Sequence, residues 1–565
     1  MSILDWAVLC STLAFIVIYG IWKTRQQQDI NSYLLGNKEA KWFTVALSIM
    51  ATQASAITFL SAPGQAFVDG MRFVQFYFGL PIAMVVLSSV VVPIYHKMNV
   101  YTAYEYLEKR FDLKTRTFTA ILFLTQRGLA AGFTIFAPSL ILSSLLGWNI
   151  NITNIVIGVI VTAYTVIGGT KAVNQTQKLQ MAVIFVGMLI AGVLVVQMLP
   201  DEVSFSNALH IAGVAGKLNA VDFEFDPSSK YNVWSGIIGG FFLAMSYFGT
   251  DQSQVQRYLS GASIAQSRLA LLFNGMIKIP MQFLILFIGA MVFVFYYFNP
   301  SPIIFNKVAL IEATEKVEGF DQLQKEYSHQ MKKRESSALD YAAALNFGNE
   351  ESISTSKAHL MVENAKTVAL KSEIIEKVEK QAPEVDVNDT NYIFLNFVIE
   401  YLPQGLIGLL IAVILSASMS STSSEINALA STTIIDIYKR ILKKDASDQH
   451  YLTASKMVSI GWGLYAILFA TFANKLGSLI EAVNILGSLV YGVILGVFSI
   501  AFFFKKIGSK PTFYAAIISE GIIIYLFFFT EVPFLWYNVI GCLSVIFFSL
   551  IFNAFMKKEP ITNEE

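Results

Sequence analysis

Residues 414 to 438 read ILSASMSSTSSEINALASTTIIDIY, which sets Ser416, Ser418, Ser420, Ser421, Thr422, Ser423 and Ser424 in a row, with Glu425 behind them, in an otherwise apolar neighbourhood. On a helix, Ala417, Ser420, Ser421, Ser424 and Ala428 fall within one arc of about 100°. An isolated Ser or Thr in such a helix bonds to its own i−4 carbonyl or allows close packing. A contiguous stripe of hydroxyls can do more, because Ser oxygens together with exposed backbone carbonyls can replace the hydration shell of a hard monovalent cation. One helix cannot surround an ion, so a facing partner is required. The stretch SIMATQASAITFLSAPGQAF offers one: Ala51, Thr52, Ala54, Ser55 and Ala56 are small or weakly helix-forming, and Pro63-Gly64 interrupts the run. An unwound helix there would present carbonyls at depth, which is tolerated only along a cavity. The same small residues also fit a plain packing face.

Two cations stand where charge is costly. Arg127 and Lys278 lie well inside apolar runs, whereas Lys456 sits at the start of one and can snorkel. Each of the first two either faces a solute or pairs with a buried carboxylate such as Glu425, Glu481 or Glu520. If both face the solute, they favour a carboxylate, which Arg binds bidentately and Lys binds as a point charge.

The elements that must hold these groups are membrane spans. The chain has 565 residues, of which 55% are hydrophobic and 14% charged, a balance far from that of soluble domains. Runs long enough to cross a bilayer lie at 5–22, 43–67, 73–95, 118–145, 153–168, 178–199, 234–249, 269–298, 400–436, 453–473, 479–503, 511–530 and 535–555, predicting an all-α polytopic protein of about thirteen spans. Basic residues cluster at Lys23/Arg25, Lys109/Arg110, Lys439/Arg440/Lys443/Lys444, Lys505/Lys506 and Lys557/Lys558, while the short loops on the other side carry only Arg72, Lys217, Lys230 and Lys475. The positive-inside rule then puts the N-terminus outside and the C-terminus in the cytoplasm of a cell-membrane protein. The first 22 residues contain no Lys or Arg, which reads as an inverted anchor rather than a cleaved signal peptide. Cys10 and Cys542 both fall inside spans and indicate neither a disulfide nor a metal centre. The one soluble segment, 299–390, carries the helical stripe Leu370, Ile374, Ile375 and Val378 before Pro383, predicting an extracellular helical cap.

Other classes fit less well. There is no phosphate loop or Ser/His/Asp set, and His96, His210, His329, His359 and His450 lie in loops or at span ends, so an enzyme is not expected. A channel would line several spans with polar rings, whereas polarity here is concentrated in a few helices. The chain ends at Glu565, shortly after the last run, so no sensor output domain is expected behind it. The net charge is zero and says nothing of a partner; no nucleic-acid partner is expected. The expected partners are a hard monovalent cation, a small solute and the lipid bilayer, with no obligate protein partner and no cofactor.

Several stretches together resemble the sodium/solute symporter family: VPIYHKMNVYTAYEYLEKRF, IFAPSLILSSLLGW, VIGGTKAVNQTQKLQ, DQSQVQRYLSG and SSTSSEINALASTTIIDIY, in the family's order, between about residue 30 and residue 505. The resemblance implies a leucine-transporter-like core of two inverted five-helix repeats, 43–199 and 234–503, working by alternating access. It implies a sodium ion held by the carbonyls of Ala51, Ala54 and Ala417 and the hydroxyls of Ser420 and Ser421. For the solute, SAITFLSAPGQAF and IFAPSLIL look most like the branch carrying monocarboxylates, vitamins and iodide, whereas TDQ at 250–252 and Lys278 in MIKIP look like the sugar branch. Of the sugar-site positions, Tyr247 and Lys278 match. Tyr77 stands where that branch has Glu, Thr58 where animal members have His, Gln53 where they have Asn, and Asn484 where they have Gln. The expected substrate is a monocarboxylate or an acidic sugar such as sialic acid, with a neutral sugar as the alternative. Members with a second sodium site resemble T-D-x-x-Q where this chain reads Thr176-Gln177-Lys178-Leu179-Gln180. Its hydroxyl partners Ser423 and Ser424 remain and Glu425 stands beside them as a possible substitute, so the expectation is one sodium per cycle.

Overall fold

A computed structural model describes residues 2–23, 30–473 and 479–556. Of the basic residues that set the expected orientation, Arg25, Lys475, Lys557 and Lys558 lie outside these ranges. In chain order the membrane helices and their neighbours are α1 (Ile3–Lys23), α2 (Trp42–Gln53), α3 (Ala56–Asp69), α4 (Met71–Met98), α5 (Leu113–Leu146), α6 (Ile150–Thr170), α7 (Val173–Gln197), α8 (Ser235–Thr250), α9 (Gln252–Leu259) and α10 (Ile264–Phe298). Then come α11 (Lys307–Lys316), α12 (Phe320–Phe347), α13 (Glu350–Gln381), α14 (Thr390–Tyr401), α15 (Leu406–Leu442), α16 (Asp448–Ala470), α17 (Leu479–Phe503), α18 (Ser509–Phe529) and α19 (Phe534–Phe555).

Ten of these helices are long and apolar enough to cross a bilayer, and the bent pair α2–α3 adds one more. The remaining two expected runs, 5–22 and 234–249, fall on shorter apolar stretches, Ile3–Ile16 and Ser235–Thr250. The count of thirteen is therefore not reproduced by length and composition, although every expected run is mainly helical, with 43–67 broken at Ala54–Ser55 and 400–436 starting on α14 and crossing to α15.

The expected interruption of the second span is present but displaced. Pro63 lies inside α3, and the chain breaks nine residues earlier in sequence, at Ala54 (φ −86°, ψ 72°) and Ser55 (φ −76°, ψ 173°), bending the two halves by 58°. Helix α3 carries Pro63 without breaking, while Gly64 lets it press on α14: a Cβ there would come within 1.9 Å of the Thr390 carbonyl oxygen. Gly289 of α10 likewise approaches the Pro63 carbonyl, with a virtual Cβ at 2.1 Å. Gly169, at φ 50° near the end of α6, kinks the chain ahead of α7 in the region readily open only to glycine.

Helix α15 is the enclosed axis of the molecule, with every side chain from Leu410 to Thr432 buried. The 299–390 segment is helical as expected and has a small core of its own. Ile374 and Val378 of α13 pack there with Phe320 and Tyr327 of α12, and Leu370 and Ile375 lie against it. Both cysteines are free.

Candidate transport site

The α2–α3 break and the serine stripe of α15 face each other. Ser420 Oγ and Ser421 Oγ both lie 3.4 Å from the Ala51 carbonyl oxygen, and Ser421 Oγ lies 3.2 Å from that of Thr52. These contacts are long for hydroxyl hydrogen bonds. They match two oxygens sharing one ion, since ligands about 2.4 Å from a cation at right angles are about 3.4 Å apart. Ala417 precedes the two serines by one turn on the same face, and Ala54 is the first residue of the break. The donor set is oxygen only and uncharged, as suits a weakly held monovalent ion. Among the described residues no His/Cys/Asp/Glu cluster fit for a metal occurs.

Gln177 of α7 lies beside this pair. Its Nε2 donates to Ser420 Oγ (2.8 Å), Ser424 Oγ (3.1 Å) and Thr52 Oγ1 (3.2 Å), while its Oε1 accepts from Ser48. Ser423 and Ser424 both donate to the Ser420 carbonyl, at 3.1 and 3.0 Å. Glu425 does not join them. It points into a separate cavity of about 100 Å³, where its carboxylate takes a hydrogen bond from Arg127 Nη1 (3.0 Å) and another from Thr134 Oγ1 (2.8 Å).

That cavity brings together six of the seven expected solute residues: Gln53, Thr58, Tyr77, Arg127, Tyr247 and Asn484. Asn484 spends its amide on the Ile480 carbonyl (2.7 Å), and Tyr247 Oη accepts from Gln254 Nε2 (2.7 Å). Gln53 Oε1 is buried without a hydrogen-bond partner among the described residues. Lys278 is the exception. It does not line the cavity; its amine sits behind Tyr77, 5.3 Å from the ring centroid.

Arg127 lines the cavity but is already engaged. Besides Glu425 it donates through Nη2 to Asp251 Oδ2 and to Tyr491 Oη. Tyr491 Oη in turn donates to Asp251 Oδ2 (2.7 Å). Asp251 stands in the gap between α8 and α9, where its Oδ1 caps α9 by accepting from Ser253 N (2.8 Å). Two carboxylates therefore share one guanidinium, so the picture of two free cations does not describe this site. Glu481, another candidate partner, is instead 3.2 Å from Lys230 and accepts from Tyr231. Glu520 Oε2 has no hydrogen-bond partner among the described residues. The reading from sequence passed over Asp251, Tyr491 and Thr134. Asp251 was the recoverable one, since it falls where the apolar run of α8 stops and a polar stretch begins.

With this geometry in view, residues 33–316 and 360–519 match the sodium:solute symporter family. The chain belongs to that family. The unmatched gap falls within the 299–390 segment. Curated relatives include the human sodium-coupled monocarboxylate transporter 1, 27% identical over 88% of this chain and 68% of its own length. The rabbit sodium-dependent multivitamin transporter is 24% identical over 89% of this chain and 67% of its own. A Na+-coupled sialic acid symporter, solved substrate-bound and outward-open, superposes over 100% of both chains with a TM-score of 0.76 at 21% identity. The fold is thus leucine-transporter-like and all-helical. This symporter is a multi-pass membrane protein, not an enzyme, and sodium is its coupling ion.

Proposed function

We propose that this symporter carries a small carboxylate-bearing solute, a monocarboxylate or an acidic sugar, across the cell membrane together with one sodium ion per cycle. The repeats 43–199 and 234–503 rock about the site, the N-terminus and the 299–390 cap face outward, and the C-terminus faces the cytoplasm. The observation that carries the coupling site is the approach of Ser420 and Ser421 to the Ala51 and Thr52 carbonyls at 3.2–3.4 Å. Together with Ala54 and Ala417 they are the sodium ligands of this reading.

The single sodium is supported by Gln177. Its amide nitrogen donates to Ser424 Oγ, one of the two hydroxyls a second cation would need, as well as to Thr52 and Ser420. An amide brings no negative charge to repay the dehydration of another ion. Glu425, engaged with Arg127 and Thr134, does not supply one.

The carboxylate reading draws on the names of the relatives and on Lys278, a cation behind the cavity wall with no hydrogen-bond partner among the described residues. A second reading has its own support: Arg127, held by Asp251 and Glu425, is compatible with a neutral sugar. Uptake of lactate, pyruvate, sialic acid, glucose and galactose into proteoliposomes, each with and without a sodium gradient, separates the two. Sodium-driven uptake of only the neutral sugars defeats the carboxylate reading, and sodium-independent uptake of every solute defeats the coupling site.

A further inference from the structure

Helix α10 carries Asn274, Lys278 and Gln282 at i, i+4 and i+8, so the three side chains share one face within about 80°. All three residues are 0% exposed. Both amide atoms of Asn274, the amine of Lys278 and both amide atoms of Gln282 are buried without a hydrogen-bond partner among the described residues. Native proteins leave few such atoms unmatched in a whole domain, and they do so where water or a ligand completes the set. Here five of them lie along two turns of one membrane helix.

The chemistry of the set selects what completes it. An ammonium donates three hydrogen bonds and accepts none, and Asn and Gln each add an NH2 group that donates and a carbonyl oxygen that accepts, so donors outnumber acceptors in the set. A cation is repelled from such a place, and water alone leaves a full charge buried. The Tyr77 ring, 5.3 Å from the amine, offers only the weak attraction of an aromatic face. A negative group is what the donors lack.

The seam is bounded along the helix. Toward one end, Gly275 packs so closely on α4 that a Cβ would come within 2.9 Å of Met84 and 3.5 Å of Pro81. Toward the other, Gly289 abuts the Pro63 carbonyl of α3. Between these contacts stands Tyr77, whose ring has Lys278 nearby and which also lines the solute cavity.

We propose that the Asn274–Lys278–Gln282 face of α10 is a hydrated seam that binds one monovalent anion at Lys278, beside the Tyr77 ring that also lines the solute cavity. The anion is either an inorganic halide or the carboxylate of the transported solute. In the second case the inference rests on the carboxylate reading above and locates the group that receives it. In the first case it is independent of that reading.

The test uses the purified full-length protein and equilibrium dialysis with labelled chloride or labelled lactate, with labelled sodium binding as the check on folding. Saturable binding of either anion is expected, weakened at least tenfold by Lys278→Gln, retained by Lys278→Arg, and weakened severalfold by Gln282→Leu or Asn274→Leu, with sodium binding kept in each. Lactate displacing chloride competitively identifies the solute's carboxylate as the anion. Chloride binding indifferent to lactate identifies a separate halide site. No saturable binding of either anion to the wild-type protein overturns the proposal. So does binding that Lys278→Gln and Gln282→Leu both leave unchanged. If Lys278→Gln loses sodium binding and so fails to fold, Gln282→Leu and Asn274→Leu decide. Sodium binding abolished by Ser420→Ala but anion binding intact separates a failure here from a failure of the sodium assignment.

Discussion

Ser420 and Ser421 differ from Ser423 in what their hydroxyls face: the first two look across to the α2 carbonyls, the third back to the Ser420 carbonyl of its own helix. Removing one oxygen from a largely dehydrated ion costs about 1–3 kcal/mol, or about tenfold to more than a hundredfold in affinity. Ser420→Ala and Ser421→Ala should raise the sodium concentration for half-maximal uptake by that factor, with Ser423→Ala milder; equal sodium activation curves in all three would remove the assignment. Arg127→Gln makes a different kind of lesion, because it leaves Asp251 and Glu425 buried with no guanidinium between them. Breaking a buried pair from one side costs about 3–5 kcal/mol. The single variant should give little folded protein by size-exclusion chromatography, and the double variant Arg127→Gln/Glu425→Gln should recover much of it. The serine stripe was readable because its members are neighbours in sequence and helical periodicity gathers them. The partners of Arg127 were not, since Asp251 and Glu425 are 124 and 298 residues away and only the fold brings them together.

At the level of elements, apolar runs were legible because a bilayer demands uninterrupted apolarity, and each expected run is mainly helical, two of them across a break. The break in the second span was legible as an event but not as a position. Proline and glycine are the usual punctuation, yet the chain opens at Ala54 and Ser55, within the small, weakly helix-forming stretch and nine residues before Pro63. Pro63 stays helical, and Gly64 is used for packing rather than for turning. Adding a methyl group at the neighbouring backbone contact is a direct test: Gly289→Ala, whose Cβ would meet the Pro63 carbonyl, should cost about 1–3 kcal/mol of stability, read as a lower melting temperature in detergent. An unchanged melting temperature would mean the helices part easily. The loop after 216 offers a titratable test outside the membrane. Lys217 donates to the Val68 carbonyl and lies over the Phe293 ring at 4.6 Å, and burial pushes its amine down to about 8, against the opposing pull of Asp69. Below pH 8 both folded and unfolded chains carry the proton and the folded one bears the cost of burying it. Between pH 8 and 10.5 only the unfolded chain stays protonated, so this residue's contribution to stability rises with pH. The melting-temperature gap between Lys217→Met and the wild-type protein should therefore narrow as pH climbs from 7 to 10, and a constant gap would exclude the effect.

For the whole molecule, the number of sodium ions sets what the membrane potential can do. One sodium with a neutral solute moves one charge, which at about 150 mV supplies roughly 3–4 kcal/mol. One sodium with a monoanion moves none, so uptake should be indifferent to voltage. Current and labelled solute measured on the same proteoliposomes should give a charge-to-solute ratio of one or zero, respectively. A ratio of two for a neutral solute, or of one for a monoanion, contradicts the reading of Gln177. Gln177→Asp supplies the missing negative charge and should raise the ratio by one.

The close approaches at Gly64 and Gly289 also have a mechanical side. With backbone seated on backbone, α3, α10 and α14 have no layer of side chains between them to serve as a bearing, so they travel as a single lever. The compliant joint is then the pair Ala54–Ser55, and the proposed coupling site lies on one flank of it. Loading sodium should stiffen that joint as a bolt stiffens a hinge. Spin labels on the Asp69 end of α3 and the Phe298 end of α10 should keep one narrow distance with or without sodium, while a pair spanning α2 and α3 should show a broad distribution that sharpens when sodium is added. A sodium-dependent change in the first pair would mean the lever has a second joint.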